Sequence, residues 1–298
     1  MAITITPEFQ SALDTIDAGE NVMTTGKAGT GKSTLLQIFL ERASKRAVLV
    51  TAPTGVAALN VGGFTIHKAF GFIPGMYPND LKRNGKWSPS NFVVKILKSL
   101  EILVIDEISM VRADLFEMID LALQRVRRNS LPFGGVQLIL VGDLLQLPPV
   151  IDPEEADLYY QHWQTPYFFS ARCYQHIALT NIYLTTVWRQ TDQEFIEILN
   201  QAREGTLSSA AIDRLNTNVD TSFDVPNDWV TLASKTKGVD KINLGRLNSL
   251  HSKKFVSEAE SEGDASVSST PASEILHYAV GARVMTVMND SMYRFVNG

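Results

Sequence analysis

Short runs of consecutive apolar residues recur at wide intervals in the first half of the chain. They occupy residues 47–50, 102–105 and 138–141, and another apolar stretch at residues 21–25 precedes them. Strands that are apolar on both faces are typical of a parallel sheet buried between helices. Because stretches with helical spacing separate the runs, the pattern predicts an α/β fold with helical crossovers. Polar residues follow each run, and ligands of such folds bind at the carboxyl ends of the strands.

Local boundary signals predict further elements on either side of these runs. A threonine, a proline and a glutamate at residues 6–8 predict a helix start. Gln10 lies on that helix, where its spacing alone favours a solvated residue. Residues 181–187 alternate like a strand, and a capping box at residues 191–194 opens another helix. Residues 229–234 also have the composition of a strand.

The turn after the first predicted strand carries a chemical motif. Residues 26–34 fit the pattern G-x-x-x-x-G-K-[ST] without a mismatch, and residues 35–42 continue with helical spacing. Strand, glycine-rich turn and helix form the context in which this pattern binds phosphate. The alternative interpretation is a glycine-rich turn that only joins a strand to a helix. The predicted nucleotide-binding residues are Gly26, Ala28, Gly29, Thr30, Gly31, Lys32, Ser33 and Thr34.

The residue types of this loop explain how it would hold a nucleotide. Glycines allow backbone N–H groups to close around a phosphate without an intervening Cβ atom. The helix that follows directs the positive end of its dipole at the same anion. Lys32 would reach the β- and γ-phosphates, and the hydroxyl of Ser33 would be a ligand of Mg²⁺.

Two later strand ends carry groups that a phosphate-binding loop lacks. Asp106 and Glu107 follow the run at residues 102–105. Asp106 would hold Mg²⁺, directly or through water, and Glu107 would orient and deprotonate the attacking water. Gln146 follows the next run, where it could touch the γ-phosphate or that water, although a proline-stiffened loop is the simpler alternative. We expect Lys32 and the two carboxylates to converge from neighbouring strand ends on one Mg²⁺-bound triphosphate.

The segment after the run at residues 47–50 contains small residues, among them Thr54 and Gly55, that would let a ligand approach a helix start closely. Thr65 and His67 follow, and a single histidine is more often a packed or surface residue than a ligand. Arg189 lies between a strand end and a helix start. Taken by itself, it is best interpreted as an ordinary surface arginine.

Residues 71–89 are rich in glycine, proline, asparagine and lysine, which predicts an irregular insertion. A solvated loop and a segment that contacts a nucleic-acid strand are equally compatible with this composition. Its basic and aromatic residues are Lys82, Arg83, Lys86 and Trp87.

Composition narrows the possible classes of protein. With 298 residues, 45% hydrophobic and 20% charged, the chain is globular and long enough for two domains. The formal net charge of −5 differs from that of a strong non-specific nucleic-acid binder, so a bound strand would need a local groove. Cys173 is the only cysteine, which excludes an intrachain disulfide and is compatible with a reducing compartment. No bilayer-spanning run and no signal peptide are visible.

Together these motifs resemble those of superfamily 1B DNA helicases of the petite-integration-frequency (PIF) family, which are relatives of the RecD helicase. The most specific stretches are residues 132–135 and 142–150. They lie within a longer matching stretch, residues 132–150, and the other matching stretches are residues 26–34, 51–60, 104–111, 183–190 with the helix that follows, 281–285 and 296–298. The resemblance implies movement in the 5′→3′ direction along single-stranded DNA, driven by Mg²⁺ and ATP and coupled to duplex unwinding.

The resemblance also implies roles for individual residues. Gln10 would recognise adenine, and Arg189 would be an arginine finger that the second motor domain supplies to the γ-phosphate. Lys32, Ser33, Asp106, Glu107 and Gln146 would keep the roles given above. The residues that would line the DNA groove are Thr54, Gly55, Thr65 and His67.

From the same resemblance we expect a RecA-like P-loop NTPase domain with a parallel sheet at residues 1–178. A small wedge element that separates strands would be inserted around residues 71–95. Residues 179–298 would form the first, incomplete part of a second RecA-like domain. Family members continue with a small barrel insertion and two more motifs, and nothing after Arg189 matches these. We therefore expect the chain to bind nucleotide, to turn it over poorly and not to unwind DNA by itself.

The expected partner is single-stranded DNA or a junction of single- and double-stranded DNA, bound by a monomer away from membranes. The expected location is intracellular: cytoplasmic for a bacterial or phage protein, nuclear or mitochondrial for a eukaryotic one. Two other classes of function stay open. One is a nucleotide-regulated module that binds single-stranded DNA without unwinding, and the other is a P-loop NTPase that acts on a protein or a small molecule.

Overall fold

The computed structural model describes residues 5–73, 75–82, 85–226, 229–260 and 273–286. The chain divides into two compact units, residues 1–213 and 214–298. The boundary that the sequence predicted, between residues 178 and 179, differs from this division. The reason is that the strand after residue 178 pairs with the first strand of the sheet in the first unit.

A parallel sheet of six strands forms the centre of the first unit. The strands are β1 (Asn21–Gly26), β2 (Val48–Ala52), β3 (Phe64–Thr65), β4 (Ile102–Ile105), β5 (Gln137–Val141) and β6 (Leu179–Leu184). Their order across the sheet is β3-β2-β4-β5-β1-β6, and every neighbouring pair is parallel. The predicted α/β class and parallel sheet are confirmed.

Helices precede, connect and follow these strands. They are α1 (Pro7–Asp17), α2 (Lys32–Arg42), α3 (Gly55–Asn60), α4 (Ile66–Phe70), α5 (Asn91–Ser99), α6 (Ala113–Arg127), α7 (Ala156–Tyr160), α8 (Gln193–Glu204) and α9 (Ser209–Asn216). The start of α1 is as predicted, because Oγ1 of Thr6 accepts a hydrogen bond from the Phe9 N–H at 3.1 Å and Pro7 takes the first helical position. At α8 the cap is Asp192, whose Oδ1 accepts from the Phe195 N–H at 3.1 Å.

The two central strands are covered on both faces. Leu103 and Leu138 belong to the apolar cluster that contains Phe116 of α6. Their sequence neighbours in β4 and β5 belong to a second cluster, with residues of α1 and α2. Side chains alternate between the two faces of a strand, so a run that is apolar throughout buries both faces of the sheet. This burial holds the loops at the carboxyl edge in fixed positions.

The insertion between α4 and α5 is anchored to the core. Its described residues contain one 3₁₀ turn, Pro78–Leu81. Trp87 is only 1% exposed, and its Nε1 donates to the Phe70 carbonyl at 3.0 Å. The Arg125 guanidinium lies 5.3 Å from the centre of the same ring. The interpretation of Trp87 as part of a patch that contacts a nucleic-acid strand is therefore wrong, because its ring is buried in the hydrophobic core. Arg83, another residue of that patch, lies outside the described residues.

In the described part of the second unit, α10 (Thr236–Ser249) is followed by β7 (Lys254–Glu258) and β8 (Ile275–Ala279). The two strands pair antiparallel. Residues 229–234, predicted as a strand, are irregular. The RecA-like character of this unit stays a prediction, and residues 296–298 lie outside the described ranges. Among the helices of the described residues, none has the length and apolar content needed to cross a membrane.

Candidate nucleotide-binding site

The loop between β1 and α2 has glycine at the positions where other residues come closest. Gly29 has φ +78°, and a Cβ added there would lie 2.6 Å from the Cβ of Arg189. Gly31 has φ +89°, and its added Cβ would lie 2.8 Å from Cζ of Phe9. Side chains are strained in this left-handed conformation. The backbone of the loop therefore lies against both α1 and the segment after β6.

Lys32 is the first residue of α2, and its side chain turns back into the loop. Its Nζ donates to the carbonyl of Gly26 at 2.7 Å and to that of Lys27 at 3.1 Å. Burial lowers the pKa of Lys32, while the nearby carboxylates of Asp143 and Glu107 raise it. An ammonium group already surrounded by loop carbonyls is placed where a bound phosphate would meet it. Of the remaining loop residues, Thr30 is buried, whereas Ala28 and Ser33 are exposed.

The carboxylates predicted after β4 lie at the same edge of the sheet as the loop. β5 lies between β4 and β1, so the expectation of neighbouring strand ends is wrong in that detail. The charges of Lys32 and Asp106 nevertheless interact. The Lys32 ammonium lowers the pKa of Asp106, although burial raises that pKa by more. Burial, with a contribution from the Glu107 carboxylate, raises the pKa of Asp106 to about 6.

Glu107 has φ 50° and ψ 44°, the left-handed conformation that few residues other than glycine adopt. Backbone strain of this kind costs about 1–3 kcal/mol and persists where the surrounding structure enforces it, often at functional sites. Glu107 thus ends the extended chain directly after Asp106, immediately before a 3₁₀ turn at Ile108–Met110.

Gln146 follows β5 and is held by Asp143, a residue to which the sequence assigned no role. Asp143 is 1% exposed. Its Oδ2 accepts from Nε2 of Gln146 at 3.1 Å and from Nε of Arg203 at 3.1 Å, and its Oδ1 accepts from Nη2 of Arg203 at 2.9 Å. The available sequence signal for Asp143 was its position within residues 142–150, one of the two most family-specific stretches. Arg203 gave none, since 60 residues separate it from its partner.

Arg189 lies at the phosphate-binding loop and belongs to the first unit. The N–H of Trp188 donates to the Gly29 carbonyl at 2.8 Å, which fixes this segment beside the loop. The sequence led us to expect Arg189 in a second domain, and this placement is wrong because Arg189 belongs to the same unit as the loop. The reason is that β6 pairs with β1 and delivers the following residues to the loop directly.

Gln10 lies on α1, next to the Phe9 ring that approaches Gly31. Its side chain is exposed, and its Nε2 donates to Oδ1 of Asp14 at 2.5 Å. Glu8, two residues earlier on the same helix, accepts from the N–H of Thr185 at 3.1 Å. The contact of Glu8 with Thr185 ties α1 to the segment after β6, and adenine recognition by Gln10 stays a prediction.

The predicted DNA-binding residues lie at or just beyond the carboxyl ends of β2 and β3, at the same edge of the sheet. Oγ1 of Thr54 accepts from the Ala57 N–H at 3.2 Å, and Oγ1 of Thr65 accepts from the Lys68 N–H at 3.3 Å. Both hydroxyls are therefore helix caps. His67 is half-buried, and burial lowers its pKa. The structure places these residues, with Gly55, on neighbouring strand ends, and their contact with DNA stays a prediction.

A phosphate-binding loop on a six-stranded parallel sheet, with carboxylates after β4 and β5, defines a RecA-like P-loop NTPase. Residues 4–213 match the family model described as PIF1-like helicase. The chain belongs to this family.

Individual relatives agree with this assignment. The ATP-dependent DNA helicase PIF1 of Homo sapiens is 35% identical over 304 residues, which cover 99% of this chain and 45% of the human protein. The ATP-dependent DNA helicase Pif1 of Bdellovibrio bacteriovorus is 30% identical and covered to 66% of its length. A crystal structure of Pif1 helicase from Bacteroides in complex with ADP-AlF3 and single-stranded DNA superposes with a TM-score of 0.85 at 35% identity. That comparison covers 100% of this chain and 69% of the Bacteroides chain.

Proposed function

We propose that the protein binds ATP with Mg²⁺ at the loop between β1 and α2, as the nucleotide site of an ATP-dependent DNA helicase. In the complete helicase, hydrolysis would drive 5′→3′ movement along single-stranded DNA and unwinding of the duplex. One observation carries the proposal: Nζ of Lys32 donates to the Gly26 and Lys27 carbonyls inside the phosphate-binding loop, with the carboxylates of Asp143 and Glu107 close enough to raise its pKa. The relatives named above are ATP-dependent DNA helicases.

The residues present fit a magnesium ion. Mg²⁺ prefers oxygen ligands and usually takes one or two from the protein, with phosphates and waters completing the coordination. The hydroxyl of Ser33 and the carboxylate of Asp106 supply such ligands. Bound there, Mg²⁺ would neutralise charge on the phosphates.

The remaining groups would divide the work of hydrolysis. Lys32 would bind the β- and γ-phosphates, Glu107 would accept a proton from the attacking water, and Gln146 would orient that water. Arg189, beside Gly29, would contribute a positive charge to the γ-phosphate. Gln10 would contact the adenine from α1.

The DNA strand would cross the sheet edge after β2 and β3. Thr54, Gly55, Thr65 and His67 are the proposed contacts, since small or half-buried side chains at helix starts leave backbone N–H groups near an approaching phosphate. The wedge around residues 71–95, the monomeric state and the intracellular location stay predictions.

ATP turnover with and without single-stranded DNA, on the wild type and on Lys32→Ala, tests the proposal. As expected for a chain that turns nucleotide over poorly, the wild type should show slow but measurable turnover that DNA stimulates, and Lys32→Ala should lose it. Binding of a fluorescent ADP analogue should weaken in parallel. Lys45→Ala is the matched control, because Lys45 is an exposed lysine just beyond α2.

Equal turnover by the wild type and Lys32→Ala would contradict the proposed site. Nucleotide-dependent DNA affinity without turnover would instead favour a nucleotide-regulated DNA-binding module. Nucleotide binding with no DNA affinity at low salt would favour an NTPase with another substrate, because phosphate contacts make DNA binding strongly dependent on salt.

A further inference from the structure

We infer that Arg203 is a positioning residue for hydrolysis: it orients Gln146 by fixing the carboxylate of Asp143 between them. The inference rests on the proposed function of the site and adds to it a residue from α8. Arg203 lies in the last turn of that helix, far along the chain from the phosphate-binding loop.

The geometry of Asp143 leaves its carboxylate no freedom to rotate. Arg203 donates to both oxygens, through Nη2 to Oδ1 at 2.9 Å and through Nε to Oδ2 at 3.1 Å. The Leu145 N–H donates to Oδ1 at 3.2 Å, and Nε2 of Gln146 donates to Oδ2 at 3.1 Å. A bidentate pair between an arginine and a carboxylate fixes the carboxylate plane as well as its position.

This arrangement selects one orientation of the Gln146 amide. Because Oδ2 of Asp143 is an acceptor, it binds the NH₂ group of Gln146 and leaves the amide oxygen as the free acceptor. An attacking water needs an acceptor for one of its protons and a fixed direction of approach. The Asp143 carboxylate thus decides which end of Gln146 the water meets, and Arg203 holds that carboxylate.

Burial makes Arg203 necessary for this geometry. Asp143 is 1% exposed, whereas the Arg203 side chain is 23% exposed and lies across it. A buried carboxylate that loses its partner becomes protonated or moves to reach solvent. Either change would remove or displace the acceptor that holds Gln146.

The decisive experiment is a double-mutant cycle between Arg203 and Gln146, measured as single-turnover ATP hydrolysis with single-stranded DNA. We expect Arg203→Gln to lower the rate about 10–100-fold, the usual cost of losing a residue that orients a catalytic group. The affinity for ADP should hardly change, while the affinity for ADP with aluminium fluoride, which mimics the transition state, should fall. In a Gln146→Ala background, Arg203→Gln should have almost no further effect.

Arg203→Lys separates positioning from folding. The lysine keeps the positive charge that Asp143 needs but cannot donate to both oxygens in one plane. We expect it to retain the wild-type unfolding midpoint and still to lower the rate. Arg42→Gln is the matched control, since Arg42 is an exposed arginine in the last turn of α2.

Hydrogen exchange of the protein without nucleotide gives a readout independent of turnover. The N–H groups of Leu145 and Gln146 should exchange several-fold faster in Arg203→Lys, while those of α6 stay unchanged. The inference is overturned if Arg203→Gln lowers the rate by the same factor with and without Gln146, or if Arg203→Lys matches the wild type in rate and exchange. The proposed function itself would fail on Lys32→Ala, so the two failures are distinguishable.

Discussion

The loop after β1 and the segments after β2 and β3 lie at one edge of one sheet, yet they hold their polar groups differently. Around the loop, Lys32 binds two carbonyls, and Asp143 accepts from Arg203, Leu145 and Gln146. After β2 and β3 the hydroxyls only cap short helices. Apolar side chains are exposed beside them, as with the half-exposed Phe64.

The difference corresponds to two kinds of ligand. A reaction at one phosphorus atom needs groups fixed within a fraction of an ångström, and interlocked hydrogen bonds provide that. A strand that moves along the protein needs contacts that form and release repeatedly, which exposed apolar surface and helix starts allow. The first region should therefore be sensitive to single-atom changes, and the second tolerant of them.

The largest effect is expected for Glu107→Gln, which changes one carboxylate oxygen to nitrogen at the proposed nucleotide-binding site. Removal of a general base costs about 10²–10⁴-fold in rate. We expect turnover to fall by that factor while the affinity for ATP stays nearly constant, measured by stopped-flow hydrolysis and by nucleotide titration. Glu41→Gln, on the exposed face of α2, is the control. Turnover within a factor of two of the wild type would exclude Glu107 as the base.

Asp143→Asn should destabilise the first unit, because it leaves the Arg203 guanidinium without its carboxylate. Breaking a buried ion pair costs about 3–5 kcal/mol, and the partial exposure of Arg203 places this pair at the lower end. Urea unfolding near neutral pH should show the loss. An unchanged free energy of unfolding would show that the pair contributes nothing to stability.

The stability that Asp143 contributes should depend on pH in a defined direction. Burial raises the pKa of Asp143, but the hydrogen bonds from Arg203, Leu145 and Gln146 bring it below its ordinary value. A depressed native pKa gives stability that is fully present above the unfolded pKa, about 3.9, and is lost as the pH falls through the native pKa. The difference in unfolding free energy between the wild type and Asp143→Asn should therefore shrink in that acidic range. A difference that grows on acidification would contradict this sign.

Gly29→Ala tests whether the phosphate-binding loop tolerates a single methyl group. The new Cβ would meet the Cβ of Arg189 at 2.6 Å, in addition to the strain of a left-handed alanine. Strain of about 1–2 kcal/mol corresponds to about a tenfold loss of nucleotide affinity. Gly19→Ala is the matched control, because Gly19 has φ +84° and nothing within 4 Å of an added Cβ. Equal losses of nucleotide affinity in both variants would show that the close contact with Arg189 does not cause the loss.

The smallest effect is expected in the second region, for Thr54→Ala. Loss of the cap on α3 costs about 1 kcal/mol. We expect a similar drop in unfolding free energy and a severalfold loss of affinity for single-stranded DNA, with turnover in the absence of DNA unchanged. Thr54→Ser keeps the capping oxygen and should restore stability. A loss of DNA-free turnover would show that the two regions are not independent.

Local sequence patterns were sufficient to predict the central strands, the phosphate-binding loop and the carboxylates after β4. Runs of apolar residues predicted the central strands, because a strand covered on both faces must be apolar throughout. The phosphate-binding loop was equally visible, since its glycines, Lys32 and Ser33 are neighbours in sequence. Asp106 and Glu107 could be placed because they directly follow a strand.

Tertiary structure decided the rest. The pairing of β6 with β1 places Arg189 beside Gly29 in the first unit, and strand order has no signature in the composition of a strand. Trp87 is buried because Arg125 and the Phe70 carbonyl, which are distant in sequence, close around it. Packing of this kind depends on residues that meet only after the chain has folded.

The sequence by itself determined the class of fold, the loop and the residues next to strand ends, because each depends on neighbours within one turn or one strand. Only the folded chain brought Arg203 onto Asp143 and so revealed what holds Gln146. The physical reason is that a buried charge is satisfied by whichever partner the packing of the chain brings near, regardless of separation in sequence.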